Sequence, residues 1–376
     1  MPVGQGAFYC EKFILGNENI NIVYDCGTNS EIKKLKKVID RNFYEGEIIH
    51  ALFISHLHND HVNGIEYLIK RCKVKNIFFP LMTENDKIII KIYNEVVFGR
   101  DNFANILIED PFNYFRENSQ NIQIYGVRAN NGDYSRIGGV EPIQGGDISW
   151  LIRTENDNSN EEFNDWKFIV YNIEQEQRKE KLIELLKEKL NREIDAKELE
   201  NIWLNSNKQE KDKVKEAYKK IEGGLNTNSM TLFSGIEDDS YIQEIIKYNG
   251  AEHLYERRCC GRYYREVCCR DYYRLNGCLY TGDYNMKLNY KTLKEKYQDY
   301  KHYIGSIQIP HHGSRHNFID DILYDYNAIN FMSVGNNFDF PNPQVIRKII
   351  NSGNYPYIVT EDDFTELEFL IHKRYM

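Results

Sequence analysis

Long hydrophobic runs and secretion signals are both missing from this sequence. Hydrophobic residues make up 41% of the 376 residues, yet no run approaches the roughly 18 apolar residues that span a membrane. The chain starts Met1-Pro2-Val3-Gly4, which lacks the basic and apolar regions of a signal peptide. Eight cysteines without such a signal are typical of a reducing compartment. We therefore expect a cytoplasmic protein with no membrane partner.

Excess positive charge is also missing, since the formal net charge is −9. This balance argues against loose, sequence-independent adhesion to long nucleic acids. It leaves room for a local basic groove or for a small anionic substrate. The sequence shows no Ser-His-Asp pattern that would indicate a different catalytic site. It also lacks a phosphate-binding glycine-rich loop, because the pair Gly4 and Gly6 is too short for a dinucleotide-binding loop.

The most informative segment is a histidine-rich motif directly after the apolar run at residues 48–54. It presents His56, His58, Asp60 and His61, four side chains able to bind metal within six positions. Imidazole and carboxylate groups are favoured ligands of zinc-like and manganese-like ions, and four of them suit two neighbouring ions. The alternative is a histidine-rich surface turn. We prefer the metal site because the chain has only ten histidines and three cluster here behind an apolar strand.

Three other apolar strands end in residues of the same chemical type. One ends at Asp25, one at Asp283, and one at the pair His311 and His312. If these strands run side by side in one sheet, their ends converge, as in the active sites of layered α/β folds.

In their order along the chain, these motifs resemble the metallo-β-lactamase superfamily. The resemblance is closest to the subgroup that includes the soluble hydrolase domain of the bacterial DNA-uptake channel protein. It rests on Val3-Gly4-Gln5-Gly6, Tyr24-Asp25-Cys26-Gly27, His56-x-His58-x-Asp60-His61, Asn228-Ser229-Met230, Thr281-Gly282-Asp283, Pro310-His311-His312-Gly313-Ser314, Ser333-Val334-Gly335 and Asn337-Phe338-Asp339-Phe340-Pro341.

The resemblance implies a pair of ions, zinc or manganese, bound at the histidine-rich motif. His56 and His58 would bind one ion, and Asp60 and His61 would bind the other. Asp283 would bridge the two ions. Asp60 is also among the expected catalytic residues.

Residues elsewhere in the chain would complete this site. One of His311 and His312 would finish the second ion's ligand set, and Asp25 would orient the histidine-rich loop from beneath. His312, Ser314 and His316 are the expected hydrogen-bond or proton donors to the leaving oxygen.

Two departures from the family pattern leave the number of ions open at one or two. Phe340 stands where family members often carry a histidine before the proline. A third histidine for the first ion is also hard to place, because only His253 lies between the histidine-rich loop and the Thr-Gly-Asp strand.

Strand-like and helix-like segments alternate along most of the chain. Two packed sheets covered by helices would bury these strands from both sides, which predicts an α/β fold, a four-layer αββα sandwich with an inserted helical segment. Predicted strands cover residues 7–13, 20–24, 49–54, 76–79, 123–128, 148–153, 230–233, 277–281, 306–309, 329–334 and 357–360. Predicted helices cover residues 31–43, 62–72, 87–98, 290–300, 320–326 and 343–351.

A segment at residues 156–224 interrupts this alternation. Apolar residues at helical spacing predict amphipathic helices at 180–190, 195–203 and 211–221. We expect this segment to be an insertion within one catalytic domain covering residues 1–376. Its role is either that of a solvated lid or spacer, or that of an arm that caps substrate or binds a second copy or a protein partner.

A second insertion, at residues 252–276, is rich in arginine, tyrosine and cysteine. Arginine forks bind phosphate and tyrosine faces stack on bases, so contact with nucleic acid or a nucleotide is one interpretation. Its arginines of interest are Arg257, Arg258, Arg262 and Arg265. A structural zinc on the thiols is a second interpretation, and a hairpin without a chemical role is a third. The thiols are Cys259, Cys260, Cys268 and Cys269.

Three functions follow from the resemblance and the motifs. The leading hypothesis is a metal-dependent phosphodiesterase or nuclease that uses a metal-activated hydroxide on DNA, RNA or a nucleotide, in DNA processing or defence. The second is a hydrolase of a non-phosphate ester, thioester or lactam, since fold alone does not determine substrate. The third is a metal-bearing interaction subunit with weakened catalysis, as Phe340 suggests.

Overall fold

Strands with apolar residues on both faces form two large β-sheets in the computed structural model. The structure describes residues 1–15, 18–100, 102–118, 121–129, 140–152, 161–221, 225, 228–247, 274–325, 328–336 and 339–373. In this part of the chain, six strands form the first sheet in sequence order, with β1 and β2 antiparallel and the others parallel. These strands are β1 (Phe8–Leu15), β2 (Glu18–Cys26), β3 (Ile48–Phe53), β4 (Lys73–Pro80), β5 (Gln123–Val127) and β6 (Glu141–Ile143).

The second sheet is mixed. Its strands in chain order are β7 (Gly146–Asp147), β8 (Trp166–Glu174), β9 (Asn228–Ile236), β12 (Gly277–Tyr280), β13 (Ile304–Gln308), β14 (Ile329–Ser333) and β15 (Pro356–Val359). The order across the sheet is β15-β14-β13-β12-β9-β8-β7, and the run from β12 to β15 is parallel. A small sheet has the order β11-β10-β16, formed by β10 (Tyr241–Lys247), β11 (Arg274–Leu275) and β16 (Glu368–Lys373).

Helices cover the outer faces of both large sheets, except for two short helices at residues 149–152 and 161–164, whose Ile152 and Phe163 pack into the core between the sheets. Before β9 they are α1 (Ile32–Asn42), α2 (Asn59–Val62), α3 (Ile65–Arg71), α4 (Glu84–Phe98), α5 (Phe103–Glu109), α6 (Pro111–Asn118), α7 (Ser149–Ile152), α8 (Glu161–Asn164), α9 (Glu176–Leu190), α10 (Ala196–Asn205) and α11 (Lys208–Lys219). After β11 they are α12 (Met286–Lys296), α13 (Asp321–Asp325) and α14 (Pro343–Asn351). No helix among the described residues combines the length and apolar composition needed to cross a bilayer.

The core is layered because side chains alternate between the two faces of each strand. Phe53 and Phe78 on the first sheet stack with ring centroids 4.9 Å apart, and Phe168 of the second sheet lies 6.2 Å from Phe53. Next to them, Leu52 faces the opposite way and packs with helical residues such as Leu35. Burying each such side chain contributes roughly 1.5–3 kcal/mol. The layers confirm the predicted αββα sandwich.

The predicted strand at residues 148–153 is wrong over its described part, residues 148–152. The chain instead forms the short helix α7 there. The Asp147 carboxylate accepts hydrogen bonds from the backbone N–H of Ser149 at 2.9 Å and from its hydroxyl, a local turn that competes with extended backbone. The strand that pairs with β7 in the second sheet is β8, which the sequence pattern did not predict.

The predicted helices of the 156–224 segment are present as α9, α10 and α11. They pack on α4 rather than standing apart in solvent: Trp203 Nε1 donates to Glu95 Oε2 at 2.7 Å, and the Tyr218 hydroxyl donates to the carbonyl of Ile89 at 2.9 Å. Strand β8 also lies within the 156–224 range. The boundaries expected for the domain and its two insertions stay predictions.

The arginine- and cysteine-rich segment falls largely outside the described residues, which resume at residue 274. Its interpretations as a substrate contact, a zinc site or a hairpin therefore stay predictions. The same applies to His253.

Candidate metal centre

Four strand ends bring the predicted ligands together at one edge of the sandwich. Asp25 ends β2, the histidine-rich loop follows β3, Asp283 follows β12, and the pair His311 and His312 follows β13. Strands β2 and β3 belong to the first sheet and β12 and β13 to the second. The site therefore lies where strand ends of the two sheets meet.

The first ligand cluster contains His56, His58 and Asp283. One ligand atom from each lies within 4.8 Å of the others, and all three residues are buried. The Nε2 atom of His56 is 3.5 Å from Oδ2 of Asp283. Two imidazoles and a carboxylate suit a divalent transition metal ion.

The second ligand cluster contains Asp60, His61 and His312, again with ligand atoms within 4.8 Å. The Nε2 atom of His312 is 3.4 Å from Oδ2 of Asp60. The sequence left His311 and His312 as alternatives here, and the structure places His312 in this cluster.

Asp283 lies between the two clusters. Its Oδ2 atom faces His56, while its Oδ1 atom is 3.3 Å from Nε2 of His61. His311 lies on the side of the first cluster, with Nδ1 3.6 Å from Oδ2 of Asp283. A carboxylate placed in this way has one oxygen available to each of two neighbouring ions.

The centre passes a simple test of fit to metal ions. Polar atoms buried without a hydrogen-bond partner are costly. Five such atoms converge here: His56 Nε2, His61 Nε2, His311 Nδ1, His312 Nε2 and Asp283 Oδ1. Four of the five atoms belong to residues of the two ligand clusters, and divalent ions held by these clusters would satisfy their lone pairs.

A buried carboxylate orients His61. Oδ2 of Asp25 lies 2.8 Å from Nδ1 of His61, which favours the proton on Nδ1 and leaves Nε2 free to bind a metal. Ser55 fixes Asp25 in turn, since its backbone N–H and its hydroxyl both donate to the carboxylate at 2.7 Å. The expected role of Asp25 fits this geometry, whereas the contribution of Ser55 was not foreseen.

Backbone carbonyls orient two further histidines. Nδ1 of His312 lies 2.8 Å from the carbonyl of Ser333, and Nε2 of His58 lies 2.8 Å from the carbonyl of Leu225. These contacts direct Nε2 of His312 and Nδ1 of His58 to the centre. Every residue has a carbonyl, so no sequence signal could have identified these partners.

Left-handed backbone conformations present several of these groups. Asp25, His311 and His312 have φ values of 56°, 47° and 55°, which are uncommon outside glycine. Gly282 has a φ of 53°, and a Cβ added there would lie 2.7 Å from Cβ of Ser55. Strained backbone of this kind is concentrated at functional sites.

The protonation states favour metal binding. Burial lowers the pKa of His56 well below its usual range and lowers the pKa of His311 to about 4. Burial opposes ionisation of Asp283, but the surrounding His311, His61 and His56 outweigh it and hold the pKa of this carboxyl well below normal. Neutral imidazoles and ionised carboxylates are the forms that bind metal.

His61 differs in having a pKa raised well above its usual range. Burial opposes its protonation, but the carboxylates of Asp283 and Asp25 on either side outweigh burial. A divalent ion at Nε2 would compete with that proton for the same lone pair, so metal binding here releases a proton.

The loop after His312 holds Ser314 and His316. Ser314 is buried, and its hydroxyl accepts a hydrogen bond from the backbone N–H of His316 at 3.3 Å. His316 is partly exposed, and its Nε2 accepts from Nε of Arg315 at 3.3 Å. Among the predicted donors to a leaving oxygen, His316 is thus the one that solvent reaches more freely.

Phe340 packs beside the paired histidines. Its ring centroid lies 5.8 Å from that of His311 and 6.1 Å from that of His312. Within the described residues, neither ligand cluster gains a third histidine.

One cationic side chain near the centre was not identified from the sequence. Arg178 of α9 is 6% exposed, and its Nη2 donates to Oδ1 of Asn317 at 2.9 Å. Asn317 Nδ2 in turn donates to the main-chain carbonyl of Asp283 at 2.9 Å. The spacing of residues in the sequence carries no signal for this contact.

Comparison with known protein families matches residues 10–80 to the metallo-beta-lactamase superfamily. The matched range runs from β1 to β4 and includes Asp25 and the histidine-rich loop. No curated protein matches the chain. Asp283 and His312 lie beyond the matched range, and the fold brings them to it. The chain has a metallo-β-lactamase-like α/β sandwich with His/Asp clusters that could bind metal, and the family match implies a metal-dependent hydrolase.

Proposed function

We propose that this protein is a metal-dependent phosphodiesterase or nuclease acting on DNA, RNA or a nucleotide. The observation that carries the proposal is the position of Asp283, whose two oxygens face His56 at 3.5 Å and His61 at 3.3 Å. Two ligand clusters sharing one carboxylate suit a pair of ions, and paired ions suit in-line displacement at phosphorus.

The proposed ligands divide as the two clusters do. His56, His58 and Asp283 would hold one zinc or manganese ion, and Asp60, His61 and His312 would hold the other. Bound divalent ions would supply Lewis acidity and lower the pKa of a water molecule toward neutrality.

The protein's own groups would keep this arrangement rigid. The Asp25 carboxylate and the Ser55 hydroxyl hold His61 in one orientation. The main-chain carbonyl of Ser333 does the same for His312. His312 was expected to act both as a ligand and as a donor, and its orientation supports the ligand role.

We assign proton donation to the leaving oxygen to His316, with Ser314 positioning its backbone. The backbone N–H of His316 donates to the Ser314 hydroxyl at 3.3 Å, and this bond would hold the backbone of His316 in place. The predicted arginines at 257, 258, 262 and 265 would contact the substrate's phosphates.

Metal content and a substrate panel test this proposal. The purified protein is analysed for metals, then assayed in manganese, magnesium and zinc with bis-p-nitrophenyl phosphate, single- and double-stranded DNA, and RNA. Parallel assays use a lactone, a thioester and a β-lactam. We expect chelator-sensitive cleavage of phosphodiesters alone. Turnover of the non-phosphate substrates without phosphodiester cleavage would favour the second hypothesis, and bound metal without any turnover would favour the third.

A further inference from the structure

We propose that Arg178 forms an anion-binding subsite beside the metal centre, which accepts a phosphoryl oxygen of the substrate. This inference rests on the proposed function and specifies it, because it makes the substrate an anionic phosphodiester rather than a neutral ester or lactam. It also gives the helical segment between β8 and β9 a direct part in the site.

Two hydrogen bonds tie the guanidinium of Arg178 to the main chain of Asp283. Nη2 of Arg178 donates to Oδ1 of Asn317 at 2.9 Å, and Nδ2 of Asn317 donates to the carbonyl of Asp283 at 2.9 Å. Asn317 is fully buried and Arg178 is 6% exposed. Two consecutive hydrogen bonds between buried groups therefore fix the cation relative to Asp283.

A permanent positive charge at this place does not serve metal binding. Arg178 acts electrostatically on Asp283 and on His311, and a cation near a metal ligand opposes the approach of a metal cation. Two divalent ions would carry four positive charges, which the three buried carboxylates of Asp25, Asp60 and Asp283 and one metal-activated hydroxide would balance. Arg178 adds a cation beside this centre, and a cation attracts an anionic substrate but not a neutral one.

The chemistry of arginine points to phosphate as the anion. Its planar fork offers parallel N–H donors that match two oxygens of one phosphoryl group. On the same side of the centre, Tyr93 of α4 stacks on His58 with ring centroids 4.8 Å apart and interacts electrostatically with Arg178. Helices α4 and α9 thus bring an aromatic face and a cation to the same side.

The test compares Arg178→Met with Lys179→Met in the full-length protein. Lys179 is the next residue of the same helix, and its Nζ lies 3.1 Å from Oδ1 of Asp86, so its variant controls for loss of one positive charge. Inorganic phosphate binding is measured by calorimetry, metal content by elemental analysis, and KM with bis-p-nitrophenyl phosphate. A neutral ester, p-nitrophenyl acetate, serves as the second substrate.

We expect Arg178→Met to weaken phosphate binding at least tenfold and to raise KM for the diester by a similar factor. Metal content, melting temperature and any turnover of the neutral ester stay as in wild type. Lys179→Met keeps the wild-type phosphate affinity, metal content and KM, although its melting temperature falls because buried Asp86 loses its partner. Wild-type phosphate affinity and KM in a folded, metal-loaded Arg178→Met protein would overturn the subsite.

Arg178→Lys decides the question if the methionine variant unfolds or loses metal. Lysine keeps the positive charge but lacks the planar guanidinium fork. The subsite therefore predicts weaker phosphate binding in this variant, and phosphate binding at the wild-type level would exclude the subsite. Arg178-dependent phosphate binding without cleavage of any phosphodiester refutes the proposed function and leaves the subsite standing. Diester cleavage that is unchanged in the Arg178 variants refutes the subsite and leaves the proposed function standing.

Discussion

Oδ1 of Asp283 lies 3.3 Å from Nε2 of His61, and neither atom has a hydrogen-bond partner among the described residues. His61 follows β3 of the first sheet and Asp283 follows β12 of the second, so the two residues come from distant parts of the chain. Their approach places the Asp283 carboxylate between two ligand clusters. Most of the predictions below concern the groups that hold this arrangement.

Removing one ligand from either cluster tests the centre itself. We expect His58→Ala and Asp60→Ala each to lower kcat/KM for the diester by at least about 100-fold, the upper end of what loss of an outer partner causes. Circular dichroism should stay unchanged. His372→Ala, on the partly exposed edge strand β16, is the matched control and should retain activity. Full activity in either ligand variant contradicts the assignment.

Asp25→Asn tests orientation rather than ligation. The amide keeps the size of the carboxylate but loses the charge that holds the proton on Nδ1 of His61. Metal affinity should fall roughly 10–100-fold, as for other residues that orient a ligand. Competition with a fluorescent chelator measures the affinity. Asp40→Asn, at a carboxylate paired with Arg71 at 3.0 Å on the surface, should leave it unchanged, and an unaltered affinity in Asp25→Asn would refute the orienting role.

Gly282 tests the close approach behind Asp283. Gly282→Ala combines a φ of +53° with a Cβ only 2.7 Å from Cβ of Ser55. Gly353→Ala has a φ of +82° with nothing within 4 Å, and so isolates the conformational cost. We expect Gly353→Ala to lose roughly 1–3 kcal/mol of unfolding free energy, and Gly282→Ala to lose more and to weaken metal binding. Denaturant titration and metal affinity measure both. Equal losses, with metal affinity intact, would show that the contact with Ser55 has no effect.

The pH dependence of stability should report on Glu11, which lies between the sheets. Burial raises the pKa of this carboxyl and outweighs the hydrogen bonds from Ser234 and Tyr280. In the unfolded state the carboxyl releases its proton above the ordinary glutamate pKa of 4.5, whereas the folded state still holds it there. Stability is therefore lost as pH rises through the folded pKa.

Glu11→Gln removes this titration. The slope of unfolding free energy against pH above 4.5 should become shallower than in wild type, whereas Glu45→Gln at an exposed position should keep the wild-type slope. Denaturant unfolding at several pH values from 4 to 8 provides the comparison. An identical slope in Glu11→Gln would mean that this carboxyl titrates normally.

Local patterns failed at two neighbouring segments for physical reasons. Residues 148–152 are apolar enough for a strand, but the Asp147 side chain caps a helical turn instead. Strand β8 lies in a strongly charged stretch and is apolar on both faces, since Phe168 packs between the sheets and Ile169 packs against the outer helices. Because both faces are apolar, this segment lacks the alternation of apolar and polar residues by which a half-buried strand is predicted.

The sequence alone determined which residue types stand at which strand ends, because strands, glycines and ligand residues follow one another over short distances. It therefore predicted the layered fold and the groups His56, His58, Asp60, His61 and Asp283. Only the tertiary structure chose His312 over His311 for the second cluster, placed the carbonyls of Leu225 and Ser333 behind two histidines, and brought Arg178 to the centre. These contacts join residues far apart in the chain. They depend on main-chain carbonyls, which every residue has, and on packing between distant elements, which short sequence patterns do not indicate.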